Sequence, residues 1–453
     1  MQVTETVSDG LKRKLKVVVP AGDLGSRFNE RLDDFKDRVQ LKGFRRGKVP
    51  TAHLRKVYGR SLMAEVVQST LEEKTRQVLS DRKERPAMQP KIELTESQDE
   101  IDKVLSGNSD LAFDMSFEIL PDITLVDFST LKLERLTADI ADEDVDKAVN
   151  DLADRNVTFA AEDGREAGNG DQLTIDFVGK IGGEAFEGGK GEGVKLVIGQ
   201  GGFIPGFEDG LTGGKAGDNR TVKATFPEAY PVPTLAGKEA EFDVTVKEVA
   251  KPVKPAIDDE FAKTLGAPDL AKLKEFVRAQ IEREYAQVSR NKLKRDLLDQ
   301  LEKSHEFVLP ASLVDGEFDG IWKQVTQGLE RSGKTFADEG KTEDGAREEF
   351  RKLSERRVRL GLVIGEIGEK NKIEVTEDEL KRALVDRARR YPGQERFVYE
   401  YFEKTPGAVN ELRAPIFEDK VVDFIVELAK PSERKVARDE LLKPLEDEAA
   451  IAN

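Results

Sequence analysis

The chain has 453 residues, a formal net charge of −16 and a composition of 38% hydrophobic, 7% aromatic and 36% charged residues. Its length predicts roughly two to four domains, and its mean hydropathy of −0.53 predicts a soluble protein. It has no cysteine and two histidines, which excludes a disulfide framework or a cysteine nucleophile and makes a zinc site or a serine–histidine hydrolase poorly supplied. We therefore expect neither a metal nor a cofactor. No signal peptide pattern and no run of about 18 apolar residues is visible, so we expect a cytoplasmic protein without a membrane span.

The first 118 residues predict a small α+β domain. Residues 11–19 read as a strand that ends at Pro20, and Thr51 is a predicted cap for a second helix. Between them, apolar residues recur at helical spacing, at Leu24, Phe28, Leu32, Phe35 and Val39. Residues 111–119 alternate between apolar and polar, which indicates a half-buried strand. Helices over an antiparallel sheet satisfy this pattern.

A basic loop separates the two predicted helices. Residues 41–60 hold seven basic residues and no acidic one, and within them 43–50 read GFRRGKVP. Two glycines and Pro50 shape the loop, and Phe44 is an aromatic side chain among cations. Such a loop suits an anionic surface that contains a pocket, such as ribosomal RNA with adjoining protein. A solvated basic turn is the alternative from charge alone.

The GFRRGKVP sequence resembles the ribosome-docking signature of bacterial trigger factors, chaperones that meet nascent chains at the exit tunnel. The resemblance implies three kinds of partner: large-subunit protein, ribosomal RNA near the tunnel, and nascent or unfolded polypeptides. It also implies a ribosome-binding set, which comprises Gly43, Phe44, Arg45, Arg46, Gly47 and Lys48.

The middle of the chain predicts a linker and then a compact β domain. We expect residues 119–160 to form a linker that packs with the C-terminal body and contains a helix at 142–156. From there to 249 the sequence is rich in glycine, with alternating segments at 173–177, 194–198 and 241–246. Short strands joined by glycine turns indicate an antiparallel sheet in a domain spanning 161–249.

Five motifs in this domain resemble FK506-binding-protein (FKBP) type peptidyl-prolyl isomerases in order and spacing: IDFVG at 175–179, FEGG at 186–189, IGQG at 198–201, FIPGFEDG at 203–210 and FPE at 226–228. The resemblance implies a catalytic pocket formed by Phe177, Phe186, Glu187, Phe203, Ile204, Phe207, Tyr230 and Phe242. Glu187 stands where the family usually has aspartate. Phe207 stands where small family members have a tryptophan, and Val194 stands where they have an aromatic residue. The resemblance therefore predicts binding of prolyl peptides but makes no prediction about the family's drug ligands.

This chemistry asks little of ionisable side chains. Rotation about an X–Pro bond faces a barrier of about 18–20 kcal/mol that amide resonance sets. A dry aromatic pocket favours the less polar, twisted amide, and no acid, base, nucleophile or metal is needed. This agrees with the cysteine-free, histidine-poor composition.

Residues 250–432 predict an all-helical domain. Residues 269–304 contain no proline or glycine, further helices are expected from Pro310, around 348–368, 376–391 and 410–428, and aromatic residues cluster at 397–402. Long charged helices with thin apolar stripes could form arms around a groove for unfolded segments, or a helical bundle with no binding role. The charged, alanine-rich residues 433–453 predict a disordered tail.

Residues 328–335, GLERSGKT, match the phosphate-loop pattern. That motif requires a buried strand before it and an apolar helix after it. Residues 321–325 are helical in pattern instead, so we interpret the match as a helix ended by Gly333.

Together these segments predict a multi-domain α+β protein with a ribosome-docking domain, an antiparallel FKBP-like domain and a helical chaperone domain with arms. The predicted function is a chaperone that works without ATP, holds nascent chains at the exit tunnel and isomerises X–Pro bonds. A free-standing isomerase with a helical dimerisation scaffold is the main alternative, and an RNA-binding protein with an incidental isomerase fold is another. The resemblance also allows a homodimer off the ribosome.

Overall fold

The computed structural model describes residues 1–41, 44, 48–94, 97–228 and 230–444. It divides into two compact units, one made of Met1–Glu134 with Leu293–Ser432 and the other of Arg135–Lys292 with Glu433–Asn453. Each unit combines segments that are far apart in the sequence.

The N-terminal part of the first unit is a four-stranded antiparallel sheet covered by helices. Its elements are β1 (Gln2–Asp9), β2 (Lys12–Val19), α1 (Ala21–Arg38), α2 (Thr51–Arg82), β3 (Lys91–Leu94), α3 (Gln98–Leu105) and β4 (Leu111–Glu118), with sheet order β1-β2-β4-β3. The predicted stripe of α1 faces the core through buried Leu24, Phe28 and Leu32. The predicted β2 and β4 are confirmed, whereas Thr51 is the first residue of α2 and the extended Pro50 is its N-cap.

The second unit contains the predicted antiparallel sheet. The elements are β5 (Glu134–Thr137), α4 (Asp142–Arg155), β6 (Thr158–Ala161), β7 (Gln172–Ile181), β8 (Glu184–Val197), β9 (Asn219–Thr225) and β10 (Glu239–Val253). β10 pairs with β7 along one edge, and on its other edge with β9 and then β6. β10 continues through Lys251 and Pro252, beyond residue 249, where the predicted β domain ends. Pro252 lies opposite Phe159 of β6, beyond the last residue that pairs with β7.

Helices make up nearly all of the remainder. They are α5 (Asp259–Thr264), α6 (Leu270–Ser304), α7 (Ala311–Ser332), α8 (Glu343–Lys370), α9 (Glu377–Arg389), α10 (Glu395–Lys404) and α11 (Ala408–Ala429). α7 ends at Gly333 in the left-handed conformation (φ 65°), and Thr335 begins a 3₁₀ turn closed by a capping box with Asp338. The interpretation of GLERSGKT as a helix end is confirmed.

The apolar core of the helical part recruits the chain that follows β4. Leucines of α6, aliphatic residues of α8 and α11, and Ile123, Phe128 and Leu133 form one buried cluster. In the second unit, Val145 and Val149 of α4 pack with Phe261 and Leu273. Residues 123–133 and α4 therefore act as packing elements as well as connections.

The chain after α11 differs from the sequence expectation. β11 (Ser432–Lys435) pairs with β5, and α12 (Arg438–Leu442) follows with Leu441 fully buried. The prediction of disorder from 433 is therefore wrong as far as Leu442, and residues 445–453 lie outside the described part. Backbone hydrogen bonds make this pairing, from Ser432 N–H to Leu133 O (3.0 Å) and Val436 N–H to Thr137 O (2.8 Å). The prediction of disorder used only the amino-acid composition, which gives no information about backbone hydrogen bonds.

Gly368 provides a test of the helical core. A Cβ added there would lie 2.1 Å from Cζ of Phe417, whereas one added at Gly361 on the same helix would meet nothing within 4 Å. We expect Gly368→Ala to lower the free energy of unfolding by about 1–3 kcal/mol through overpacking. Gly361→Ala should raise it by up to about 1 kcal/mol through helix propensity. Urea unfolding followed by circular dichroism and Trp322 fluorescence measures both, and equal effects would contradict the close contact.

Candidate functional site

An open pocket of about 550 Å³ lies on the sheet of the second unit. We call it the aromatic pocket, and its lining residues are Phe177, Phe186, Glu187, Gly188, Gly189, Gly202, Phe203, Ile204, Pro205, Phe207, Phe226, Pro227, Tyr230, Val232, Leu235 and Phe242. All eight catalytic candidates from the sequence are among them. The structure thus brings together side chains separated by up to 65 residues.

Phe207 forms the floor of the aromatic pocket and is 1% exposed. Its ring stacks on Phe203 with centroids 4.9 Å apart, and it meets Phe242 edge to face at 5.0 Å. Such offset and edge-to-face pairs contribute about 0.5–1.5 kcal/mol each beyond the area they bury. The floor is therefore rigid and apolar.

Two further rings form the walls. Phe177 of β7 lies 5.9–6.1 Å from the rings of Phe203, Phe207 and Phe242. Phe186 of β8 lies 5.8 Å from Phe226 and 6.2 Å from Phe242. Both wall rings are half-buried, so one surface of each faces the opening.

Glycines give these rings their positions. A Cβ on Gly191 would lie 2.5 Å from Cε1 of Phe177, and one on Gly179 would lie 2.7 Å from ring atoms of both Phe186 and Phe242. Real Cβ contacts of this length essentially never occur. The rings thus rest directly on the backbone of β7 and β8.

Polar groups lie at the rim or outside the aromatic pocket. Glu187 is exposed at its edge. Asp176 accepts a hydrogen bond from Gly193 N–H (2.7 Å) and pairs with Lys247 (2.7 Å), and these contacts, Lys247 first, lower its pKa. Within the described residues no three histidine, aspartate or glutamate side chains are grouped to hold a metal ion. The pocket can bind an apolar ring and shield it from water.

Sequence reasoning missed part of the lining. Phe226 belongs to the FPE motif but not to the eight predicted pocket residues, and no sequence pattern indicates Val232 or Leu235. The FPE motif was the sequence signal that could have identified Phe226. The structure places its ring 4.8 Å from that of the predicted Tyr230. Val194, named as a departure from the family, packs against the domain core and is not a lining residue.

The predicted docking loop is described only in part. Gly43, Arg45, Arg46 and Gly47 lie outside the described residues. Phe44 is 39% exposed, its ring is 5.6 Å from that of His53, and Lys48 is exposed. An exposed phenylalanine beside a histidine is available for contact with a partner.

Family comparisons agree with this geometry. Residues 163–247 match FKBP-type peptidyl-prolyl cis-trans isomerases, which defines the domain around the aromatic pocket as an isomerase of that class. Residues 1–152 match the bacterial trigger factor protein (TF), and residues 269–427 match its C-terminus.

Whole-chain relatives extend the match. The trigger factor of Afipia carboxidovorans is 51% identical over 99% of this chain and 100% of its own length, and that of Bradyrhizobium diazoefficiens is 51% identical over 100% of both. A solved structure of the trigger factor chaperone covers 94% of this chain and 99% of its own, with a TM-score of 0.55 at 20% identity, and so supports the fold alone. The chain belongs to the trigger factor family.

The family assignment settles the main functional prediction. The chain is a ribosome-associated chaperone that binds nascent chains, with a ribosome-binding N-terminal domain and an FKBP-type isomerase domain. The free-standing isomerase is wrong, because the trigger factor matches cover the chain on both sides of the isomerase domain. Among the described helices, none is both long and apolar enough to cross a membrane.

Gly179→Ala tests whether ring placement matters. We expect isomerase kcat/KM to fall about tenfold or more, because the added Cβ must displace Phe186 or Phe242; a tenfold loss corresponds to about 1.4 kcal/mol. Gly168→Ala in the same domain is the control, since its Cβ would meet only Asp171 Oδ2 at an ordinary 3.7 Å. A proline-peptide isomerisation assay with both folded variants gives the answer. Equal activities would contradict the ring-on-backbone account.

Proposed function

We propose that this chain works in the cytoplasm at the ribosomal exit, where it docks through residues 43–48 and isomerises X–Pro bonds in the aromatic pocket. The single observation that carries the isomerase part is the convergence of the eight candidate side chains on one apolar pocket. The proposed domains are residues 1–118 for docking, 119–160 as linker, 161–249 for isomerisation and 250–432 for holding clients.

The aromatic pocket lowers the isomerisation barrier through its environment. In water the planar amide is favoured because its resonance form is polar and well solvated. When a proline ring lies on Phe207 and Phe242, water is removed from the amide. This desolvation destabilises the polar planar amide more than the less polar twisted amide, so the barrier between them falls. Remote contacts of the peptide with the walls provide binding energy that holds the twisted geometry.

Each candidate has a place in this mechanism. Phe177, Phe203 and Ile204 surround the proline ring, and Phe186 and Tyr230 contact the residues next to it. Glu187, exposed at the rim, lies where the peptide backbone would leave the pocket. None of these roles needs a proton transfer.

Docking combines one apolar contact with charge attraction. Phe44 would enter a pocket on large-subunit protein while Arg45, Arg46 and Lys48 contact phosphates of ribosomal RNA. The whole of residues 1–60 carries 15 Lys or Arg against 7 Asp or Glu, in a chain of net charge −16. Association should therefore weaken as salt rises, because phosphate contacts release counterions.

The helical part would hold clients on exposed apolar side chains. On α10, Phe397 is 74% exposed and Tyr399 and Tyr401 are 41% and 45% exposed. These belong to the aromatic cluster at 397–402 found in the sequence. Off the ribosome we expect a homodimer, which sedimentation velocity at several concentrations would detect.

The docking proposal is tested by co-sedimentation with ribosomes. We expect the unmodified chain to pellet and Phe44→Ala/Arg45→Ala/Arg46→Ala to remain in the supernatant, with circular dichroism unchanged. The control Arg76→Ala/Lys103→Ala removes two exposed cations of the same domain and should pellet. If the unmodified chain stays in the supernatant at low salt, or the triple variant pellets with it, the docking loop is not the contact.

Phe207→Leu tests the pocket. Because leucine removes the stacked ring from the floor, we expect at least a roughly tenfold loss in isomerase kcat/KM. Phe113→Leu is the matched control, a phenylalanine that is 2% exposed in the N-terminal core, and it should leave the isomerase unchanged. Direct observation of cis-to-trans exchange in a proline peptide by NMR measures both, and full activity in Phe207→Leu would refute the assignment.

A further inference from the structure

Glu208 is a buried carboxylate directly next to the pocket floor. The residue is 8% exposed, and it immediately follows Phe207. Its Oε2 accepts hydrogen bonds from Gly199 N–H (2.8 Å) and Gly201 N–H (3.1 Å), and its Oε1 accepts one from Phe203 N–H (3.3 Å). One side chain thus holds most of the segment 199–203, which we call the glycine loop.

The electrostatics show that the glycine loop binds the charged form. Burial acts to raise the pKa of Glu208, but the N–H groups of Gly201, Gly199, Phe203 and Gly202 outweigh it, and the pKa lies below its ordinary value. A carboxylate that accepts several backbone N–H groups is stabilised as the anion. Protonation or amide replacement would put a donor against these donors.

The glycine loop has little else in its sequence to fix it. Three of its five residues are glycine, and Gly199 and Gly201 have φ of 88° and 68°. Glycine loses more conformational freedom on ordering than any other residue. At its end the loop presents Phe203 and Ile204 to the aromatic pocket, with Phe203 stacked on Phe207.

We propose that Glu208 is a positioning residue for prolyl isomerisation: its carboxylate holds the glycine loop so that Phe203 and Ile204 close one wall of the aromatic pocket. This rests on the proposed role of that pocket. Without the carboxylate, the wall loosens and water reaches the amide. Exclusion of water from the amide stabilises the twisted transition state more than the bound planar substrate. Loss of the carboxylate should therefore lower kcat more than it raises KM.

Asp171 offers a matched control in the same domain. It is also a buried carboxylate, 1% exposed, which accepts hydrogen bonds from Gly168 N–H (2.9 Å) and from Nε–H and Nη2–H of Arg165 (3.0 and 3.1 Å). Its pKa is likewise lowered, because Arg165 and Gly168 outweigh burial. None of these partners lines the aromatic pocket.

The experiment compares Glu208→Gln and Asp171→Asn in the full chain, at a temperature where circular dichroism shows both folded. Both should lower the temperature of unfolding. We expect Glu208→Gln to lower kcat about tenfold with KM changed less than about threefold, and Asp171→Asn to change neither by more than about twofold. If Glu208→Gln stays within twofold in kcat, or if Asp171→Asn loses as much, the positioning role is overturned.

The pH profile tests whether the hydrogen-bonded form of Glu208 is the anion. The pKa of Glu208 is lowered in the folded state, so at any pH above the ordinary carboxyl pKa the side chain is an anion and contributes its full stabilisation. That stabilisation is lost only as the pH falls through the lowered pKa. Wild-type kcat should therefore be level between about pH 8 and pH 5, and Glu208→Gln should be level at a lower value. A wild-type decline within that range that Glu208→Gln lacks would contradict the hydrogen-bonded anion.

The two variants Phe207→Leu and Glu208→Gln separate the role of Glu208 from the catalytic role of the aromatic pocket. If Phe207→Leu loses activity while Glu208→Gln retains it, only the role of Glu208 falls. If Phe207→Leu is fully active, the aromatic pocket is not the catalytic site and the inference falls with it. Ribosome co-sedimentation of Glu208→Gln should match that of the unmodified chain.

Discussion

Direct contact between aromatic rings and glycine backbone is the constraint on which the isomerase domain depends. The rings of Phe177, Phe186 and Phe242 occupy space that a Cβ on Gly179 or Gly191 would need. A sheet normally separates its backbone from packed rings by the first side-chain atom. Without that atom, Phe177, Phe186 and Phe242 lie directly on the backbone, and together with Phe203 and Phe207 each ring has at least one neighbouring ring at about 6 Å or less. An opening remains between the five rings. The glycines are therefore part of the pocket's shape, beyond their role in turns.

The same domain also uses ionisable groups as scaffolding. Asp171 and Glu208 accept backbone N–H groups from loops next to the strands, and Asp176 accepts one from Gly193 where the pairing of β7 with β8 is irregular. Their charges stabilise loop geometry, while the surface that would meet a proline is made of rings. Keeping the carboxylates outside the pocket suits a mechanism that depends on a dry environment. A charged group inside the pocket would draw in the water that the twisted amide must lose.

Periodicity and motif order predicted much of this architecture. The alternation at 111–119 indicated β4, whose Leu111, Phe113 and Met115 are buried. The family resemblance implied one pocket for the eight candidates, and all eight line the aromatic pocket. β1 was missed because each of its eight residues is exposed, so that no apolar alternation marks it. β11 was missed for the same reason, since its four exposed residues are held by backbone hydrogen bonds.

The paths of the loops explain what else the sequence left undetermined. Val232 and Leu235 join the aromatic pocket because of the path of the chain between β9 and β10, which no local pattern specifies. Glu208 illustrates the point for a polar group. Its neighbours in sequence suggest an exposed turn, whereas its three hydrogen-bond partners become visible only when the loop five to nine residues earlier is placed beside it.

Ion pairs between helices complement the thin apolar stripes of the C-terminal part. Lys294 of α6 reaches Glu418 and Asp419 of α11, both at 2.8 Å, and although burial opposes it, these partners raise its pKa. Lys420 binds Glu379 at 2.9 Å, and this bond is the first cause that lowers the pKa of Glu379 to about 2. Exposed pairs contribute only about 0–1 kcal/mol each, so the apolar cluster of α6, α8 and α11 supplies most of the stability.

The ion pairs instead select which helix faces meet, since a shifted register would separate charges that now touch. In a protein that holds other chains, ion pairs that align the helices leave some apolar side chains free to stay on the surface. Helices aligned in this way need not bury every apolar residue to find their positions. Phe397, Tyr399 and Tyr401 can stay exposed on α10 without competing for the core, and a net charge of −16 opposes non-specific aggregation through such surfaces.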